Sequence, residues 1–147
     1  MKINLAIIGA GRIGHVHAEA INKNINANLI YIYDTNNSVA NKFASKFNCK
    51  IADINSIKND KNIDAVVICS PTNTHIDLIK NFSRAKKAIF CEKPIDLNIK
   101  KVRRCLTIIE KNNINFMIGF NRRFDPHFLT LKKSIEEGKI GDVEILI

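Results

Sequence analysis

From residue 3 to residue 120 the chain repeats one unit: a short run of consecutive apolar residues, a turn, then a stretch whose apolar residues return every three or four positions. The runs at 3–8, 29–33, 50–52, 65–69, 88–91 and 115–120 read as strands. A strand that is apolar on both faces must be covered on both faces, as in a parallel sheet. The stretches between them predict helices: one with Ile13, Val16, Ala20 and Ile21 on a single face, one with Val39, Ala40, Phe43, Ala44 and Phe47, and a brief one at 54–59. A fourth follows at 75–85, a fifth carries Ile99, Val102, Leu106 and Ile109, and a sixth runs over 126–137. Strict alternation of this kind specifies an α/β fold, a doubly wound parallel sheet that six strands complete. A seventh apolar run at 143–147 arrives after that sheet is full.

Composition removes several classes. With 147 residues, 46% hydrophobic and 25% charged, the chain can bury a core without staples, which excludes disordered and fibrous proteins. Cys49, Cys69, Cys91 and Cys105 form no Cys-x-x-Cys and no regular spacing, so neither a metal site nor a disulfide framework is expected, and the thiols read as small buried hydrophobes. The net charge of +9 raises the question of nucleic acid, but the lysines are scattered and the basic pairs are not interleaved with aromatics. No nucleic-acid partner is expected. No apolar run approaches the ~20 residues of a membrane span and the amino terminus lacks a signal-peptide core, so no membrane partner and a cytoplasmic location are expected.

Chemistry concentrates where strands end. The first strand runs into Gly9-Ala10-Gly11-Arg12-Ile13-Gly14, a G-x-G-x-x-G that closes a strand and opens a helix. In that position Gly9 permits the tight turn, Gly11 lets the backbone approach a pyrophosphate, Gly14 lets helix and strand pack closely, and the helix amino terminus offers free N–H groups to phosphate. Residues 1–120 therefore read as a Rossmann dinucleotide-binding domain, and 121–147 as the start of a truncated second α+β domain of which only the first strand is present. Asp34 ends the second strand, where a carboxylate accepts hydrogen bonds from an adenosine ribose. It would repel a 2′-phosphate, and Thr35-Asn36-Asn37 supply no arginine to neutralise one, so the cofactor expected is NAD. An Asx-turn or helix-capping role for Asp34 stands beside this reading. The fourth strand ends at Ser70-Pro71-Thr72-Asn73-Thr74-His75 and the fifth at Glu92-Lys93-Pro94, both facing the crevice of such a sheet.

With these motifs together, Gly-Ala-Gly-Arg-Ile-Gly-x-x-His ending at His17, Ser-Pro-Thr-x-x-His ending at His75 and Cys-Glu-Lys-Pro ending at Pro94, the whole chain resembles the amino-terminal half of the glucose-fructose oxidoreductase/inositol dehydrogenase/MocA family. Within it, Gly119-Phe120-Asn121-Arg122-Arg123-Phe124-Asp125-Pro126 most resembles the inositol 2-dehydrogenases. The resemblance implies that Gly11, Arg12 and Ile13 hold the pyrophosphate and Asp34 the adenosine ribose. It also implies that Ser70, Thr72, Asn73 and His75 line the nicotinamide side, with capping or packing at the start of its helix the alternative for His75, that Glu92 positions the nicotinamide ribose and ring, and that Lys93 is catalytic, touching the substrate hydroxyl. Arg122 or Arg123 would approach substrate or cofactor, and His15 and His17 would be structural. It further implies a polyol or sugar substrate, homo-oligomers in the full-length family, and an aspartate and a histidine, the latter the principal proton acceptor, in a region this chain lacks. The competing expectation is a stand-alone module that binds NAD without turnover.

Overall fold

The computed structural model describes residues 2–145. Six strands, β1 (Ile3–Ile8), β2 (Ala27–Tyr33), β3 (Lys50–Ile51), β4 (Ala65–Ile68), β5 (Ala88–Cys91) and β6 (Phe116–Ile118), form one sheet in the order β3-β2-β1-β4-β5-β6. Every neighbouring pair is parallel. The chain starts in the middle, winds outward to β3, then returns to place β4 on the other side of β1. The strand order therefore reverses between β1 and β4, and a crevice opens at their carboxyl ends.

Between the strands lie α1 (Arg12–Lys23), α2 (Asn37–Phe47), α3 (Ile54–Asn59), α4 (Thr72–Arg84) and α5 (Ile99–Asn112). Side chains alternate across each strand, so neighbouring residues feed opposite cores. Ile7, Ile32 and Val67 meet Ala18 of α1 and Phe43 and Phe47 of α2 on one face. Ile8 and Ile68 meet Ile57 of α3, Ile79 and Phe82 of α4 and Ile109 of α5 on the other. Asparagine sets several helix ends: Asn36 and Asn98 accept two backbone N–H groups each at the starts of α2 and α5, and Asn48 and Asn113 take the left-handed conformation that ends those helices. Lys87, although buried, is satisfied because its Nζ donates to the carbonyls of Asp60 at 2.6 Å and Ile63 at 2.7 Å.

Three details depart from the sequence reading. On α1 the buried residues are Gly14, Ala18 and Ile21, while Val16 is 54% exposed and Ala20 also faces outward. The helix lies so close to the sheet that small residues form its inner stripe, and an apolar periodicity cannot see a glycine. Second, α4 starts at Thr72, so His75 sits inside its first turn rather than at its start. Third, the expected strand at 143–147 is not formed over 143–145, and Leu146 and Ile147 lie outside the described residues. From Asn121 to Ile145 no residue is fully buried: a 3-10 turn (Asn121–Phe124) leads into α6 (Pro126–Glu136), which begins at the cap of Asp125 and has no buried residue. A strand there would need a neighbour to share its hydrogen bonds, and β6 is the last strand among the described residues.

Among the described residues no helix is long and apolar enough to cross a membrane. All four cysteines are free thiols, with Cys91 and Cys105 in the core. Burial pushes the thiols of Cys69 and Cys91 up to about 12 and that of Cys49 up to about 11, and raises Cys105 as well. Because the thiolate is the reactive form, a disulfide reagent at pH 8 should label the folded chain at least about a hundredfold more slowly than the chain in denaturant, where thiols return to ~8.5. The rate should climb as pH rises toward 11. Fast labelling of the native chain at pH 8 would contradict the burial described here.

Candidate functional site

Three glycines at the turn between β1 and α1 are glycines for different reasons. Gly9 has φ +105°, and a Cβ there would lie 2.7 Å from the Ser70 nitrogen and 2.8 Å from the Cys69 carbonyl carbon, so the end of β1 rests directly on the end of β4. At Gly14 a Cβ would fall 2.2 Å from the Gly9 oxygen, so α1 can start only where residue 14 has no side chain. Gly11 is different: a Cβ there would meet nothing within 4 Å. It borders the open cleft of about 710 Å³ between the ends of β1, β2 and β4. The fold needs the first and third glycines. Only something that enters the cleft needs the second.

Helix termini give the same direction. Among the described residues α2, α3, α5 and α6 start with an Asn or Asp side chain that accepts their free N–H groups. The exceptions are α1, whose capping position is Gly11, and α4, whose capping position is Pro71; neither has a side-chain cap or an acidic residue in its first turn. Both Gly11 and Pro71 line the cleft, so two uncapped helix amino termini present N–H donors and positive dipole ends there. A pyrophosphate supplies the missing acceptors, and these residues fit one.

Asp34 also lines the cleft. Its Oδ2 accepts from the Ala10 N–H at 2.8 Å and its Oδ1 from the Asn36 N–H at 2.8 Å. The Asx turn weighed against a ribose role is thus present, but it does not displace that role: each carboxylate oxygen has a second acceptor position. The carboxylate is fixed relative to the glycine turn by the turn's own backbone. Tyr33, Thr35, Ile54 and Leu78 complete this end of the cleft. The sequence reading missed these four. Tyr33 and Thr35 flank Asp34 and could have been found by adjacency, whereas Ile54 and Leu78 come from other helices.

Of the remaining residues singled out in the sequence, Ser70 and Asn73 line the same cleft, and Thr72 is half-buried at the start of α4. Arg12 is exposed and Ile13 half-buried in the first turn of α1. His75 does not line the cleft. It is 1% exposed, with Nε2 2.7 Å from the Ser70 carbonyl and Nδ1 2.8 Å from the Pro94 carbonyl. The ring braces the segment after β4 against the segment after β5. Glu92 likewise turns from the cleft, its Oε1 2.8 Å from Nε2 of His17. Lys93 projects into a separate hollow of about 410 Å³ that it shares with Phe120, Asn121, Arg122 and Arg123. The structure thus brings Lys93 and both arginines to one hollow. Arg122 also bonds Asp125 at 3.3 Å and lies over the Phe128 ring, 4.9 Å from its centre.

Comparison with known proteins agrees with this geometry. The family model for oxidoreductases with an NAD-binding Rossmann fold matches residues 3–120. The chain is 48% identical over 146 residues to an inositol 2-dehydrogenase of Rhizobium meliloti, covering 99% of this chain and 44% of that protein. The crystal structure of a myo-inositol dehydrogenase from Corynebacterium glutamicum superposes with a TM-score of 0.88 at 39% identity, over 98% of this chain and 44% of that one. That of a scyllo-inositol dehydrogenase from Lactobacillus casei, with NAD(H) and scyllo-inositol bound, gives 0.89 at 32% identity, over 97% and 43%. The chain spans less than half the length of the relatives it matches.

The contact at Gly14 predicts that Gly14→Ala displaces α1 from the turn. Dinucleotide affinity should fall at least about tenfold together with thermal stability, whereas Gly11→Ala should spare stability and weaken only binding. Equal stability losses in the two variants, followed by thermal melting and ligand titration, would refute the division of roles among the glycines.

Proposed function

The chain belongs to the family of oxidoreductases with an NAD-binding Rossmann fold, and on that premise we propose that it is the cofactor-binding part of an inositol 2-dehydrogenase, which oxidises myo-inositol to the 2-keto inosose. The observation that carries this reading is the cleft at the ends of β1 and β4: a glycine with no packing reason to be one, two uncapped helix termini and a fixed carboxylate. The glycine and the helix termini fit a pyrophosphate, and the carboxylate fits the adenosine ribose beside it. The choice of substrate is supported by the identity to inositol dehydrogenases. The motif after β6 supports it too, since it puts Arg122 and Arg123 beside Lys93.

NAD, when bound, accepts the hydride from a secondary alcohol carbon. The N–H groups of Arg12 and Ile13 hold the pyrophosphate, and Asp34 accepts from the ribose hydroxyls. A 2′-phosphate would bring two negative charges against the Asp34 carboxylate, so NAD is preferred over NADP. Lys93 has a role matched to its position. Among the described residues its Nζ is in no ion pair and no hydrogen bond, so the ammonium is available to the substrate oxygen. A hydrogen bond from a cation stabilises negative charge that builds on that oxygen as its proton leaves. Lys93 thus orients and polarises the hydroxyl. The proton itself passes to the histidine implied by the family resemblance, which belongs to the region of the relatives that this chain does not span. That region is also where the full-length family would form its oligomer.

A second reading, a module that binds NAD without turning over a substrate, is favoured by one observation: no histidine or carboxylate lines the Lys93 hollow among the described residues. Calorimetric titration with NAD and NADP, alongside absorbance of NADH formed from myo-inositol, decides between them. Binding of NAD with no turnover is expected from the chain alone, and turnover once it is joined to the region of the relatives that it does not span. Asp34→Ala should weaken NAD about tenfold and erase the preference over NADP; retained selectivity would remove Asp34 from the ribose. Lys93→Ala should leave NAD affinity within about twofold while abolishing turnover in the joined protein.

A further inference from the structure

The most unexpected contact in the molecule joins residues 75 positions apart. His17, on α1, reaches the carboxylate of Glu92 at the end of β5, Nε2 to Oε1, at 2.8 Å. An ionised carboxylate only accepts, so Nε2 carries the hydrogen that is donated. The ring is also held edge-on against Phe90, centroids 4.9 Å apart, which fixes its orientation independently of the hydrogen bond. The other histidine of the helix, His15, points the opposite way, bonding the Gly11 carbonyl and packing on Phe43 and Phe47. The far oxygen of Glu92 accepts from the Lys93 N–H at 3.2 Å, and the Glu92 N–H itself donates to the Ile68 carbonyl at 2.9 Å. Space for the carboxylate is kept by Gly119, where a Cβ would stand 3.1 Å from Oε1 and 3.1 Å from the Phe90 ring. Both side chains of the pair are mostly buried, at 25% and 18% exposed, so water does little to weaken the bond.

We propose that His17 is a positioning residue for the nicotinamide end of the site. It anchors Glu92, and through Glu92 the backbone of Lys93, to the helix whose first turn holds the pyrophosphate. Seating of the pyrophosphate on α1 and placement of the Glu92-Lys93 turn are thereby one rigid arrangement rather than two independent ones. This rests on the reading of the cleft as the site of NAD's adenosine and pyrophosphate, with the nicotinamide reaching past it to the Glu92-Lys93 turn.

The test compares two probes on the chain itself: NADH, which spans both ends, and ADP, which carries the adenosine and pyrophosphate and lacks the nicotinamide riboside. His17→Phe keeps the aromatic contact with Phe90 and removes the donor. It should weaken NADH about tenfold and leave ADP unchanged. His17→Gln, whose amide nitrogen has comparable reach, should restore NADH affinity to within about threefold of the wild type. Glu92→Leu, which removes the acceptor, should lose at least as much NADH affinity as His17→Phe, and the double variant should be no weaker than Glu92→Leu alone, because the bond is already gone. Gly119→Ala, which crowds the carboxylate from the other side, gives a second route to the same NADH-selective loss. If His17→Phe weakens NADH and ADP alike, or neither, or if glutamine fails to rescue, the positioning role is overturned. A wild-type chain that binds ADP and NADH equally tightly would overturn the nicotinamide-end reading itself, and a chain that binds neither would overturn the cofactor reading with it.

Discussion

Everything at the functional end of this molecule depends on how closely the end of β1 can approach the end of β4. At Gly9 the backbone of one strand lies against the backbone of the other with no room for a single methyl group, and at Gly14 the first turn of α1 lies on the Gly9 carbonyl in the same way. These two contacts put the amino terminus of α1 at the point where the strand order reverses. Because α4 springs from the segment touched by Gly9, its terminus is brought to the same cleft. The cofactor crevice is thus a result of steric contact between backbones. Side-chain chemistry is added to a shape already determined.

The distribution of helix caps follows from this. A helix start buried or exposed elsewhere in the molecule satisfies its N–H groups locally, and four asparagine or aspartate caps do so. Capping α1 or α4 from within would fill the cleft with the very acceptor that a phosphate provides. The local stability that a cap contributes, about 1 kcal/mol each, is left unclaimed at two positions and becomes available to a bound anion. The same logic applies to Asp34, whose two backbone hydrogen bonds hold it in place without using its full acceptor capacity.

The parts legible in the sequence are those written in local pattern. β1 and β5 fall on the apolar runs residue for residue, α3 matches its predicted span, and strands alternate with helices as the pattern specifies. The positions of the glycine turn and Asp34 were legible because each stands where an apolar run ends, although the contacts that hold them, Gly9 on the Ser70 backbone and Asp34 on the Ala10 N–H, are long-range. What could not be read is what depends on long-range proximity. The inner stripe of α1 is made of Gly14 and Ala18, which carry no apolar signal, so Val16 was assigned inward when it faces out. His75 follows a cleft-lining motif yet turns inward, because two carbonyls, at Ser70 and Pro94, converge on its ring. Glu92 lies next to Lys93 in the chain but is paired with His17 from another element, and no spacing rule connects residues that far apart.

These long-range contacts fix the backbone on both sides of a surface lysine. Lys93 has a long side chain that would lose considerable rotamer freedom on engaging a substrate, a cost of up to about 2 kcal/mol. The protein reduces the rest of that cost by holding the backbone around it. Glu92 is pinned on one side by His17 from α1, and the Pro94 carbonyl on the other by His75 from α4. Both histidines come from the helices whose uncapped termini border the cleft. The elements that would bind the phosphates are therefore the same ones that hold the turn carrying the cation, and distance between the two ends of the site is set by two rigid helices and a sheet. A dinucleotide is flexible between its phosphates and its reactive ring, and two ends held at a fixed separation would select one extended form of it.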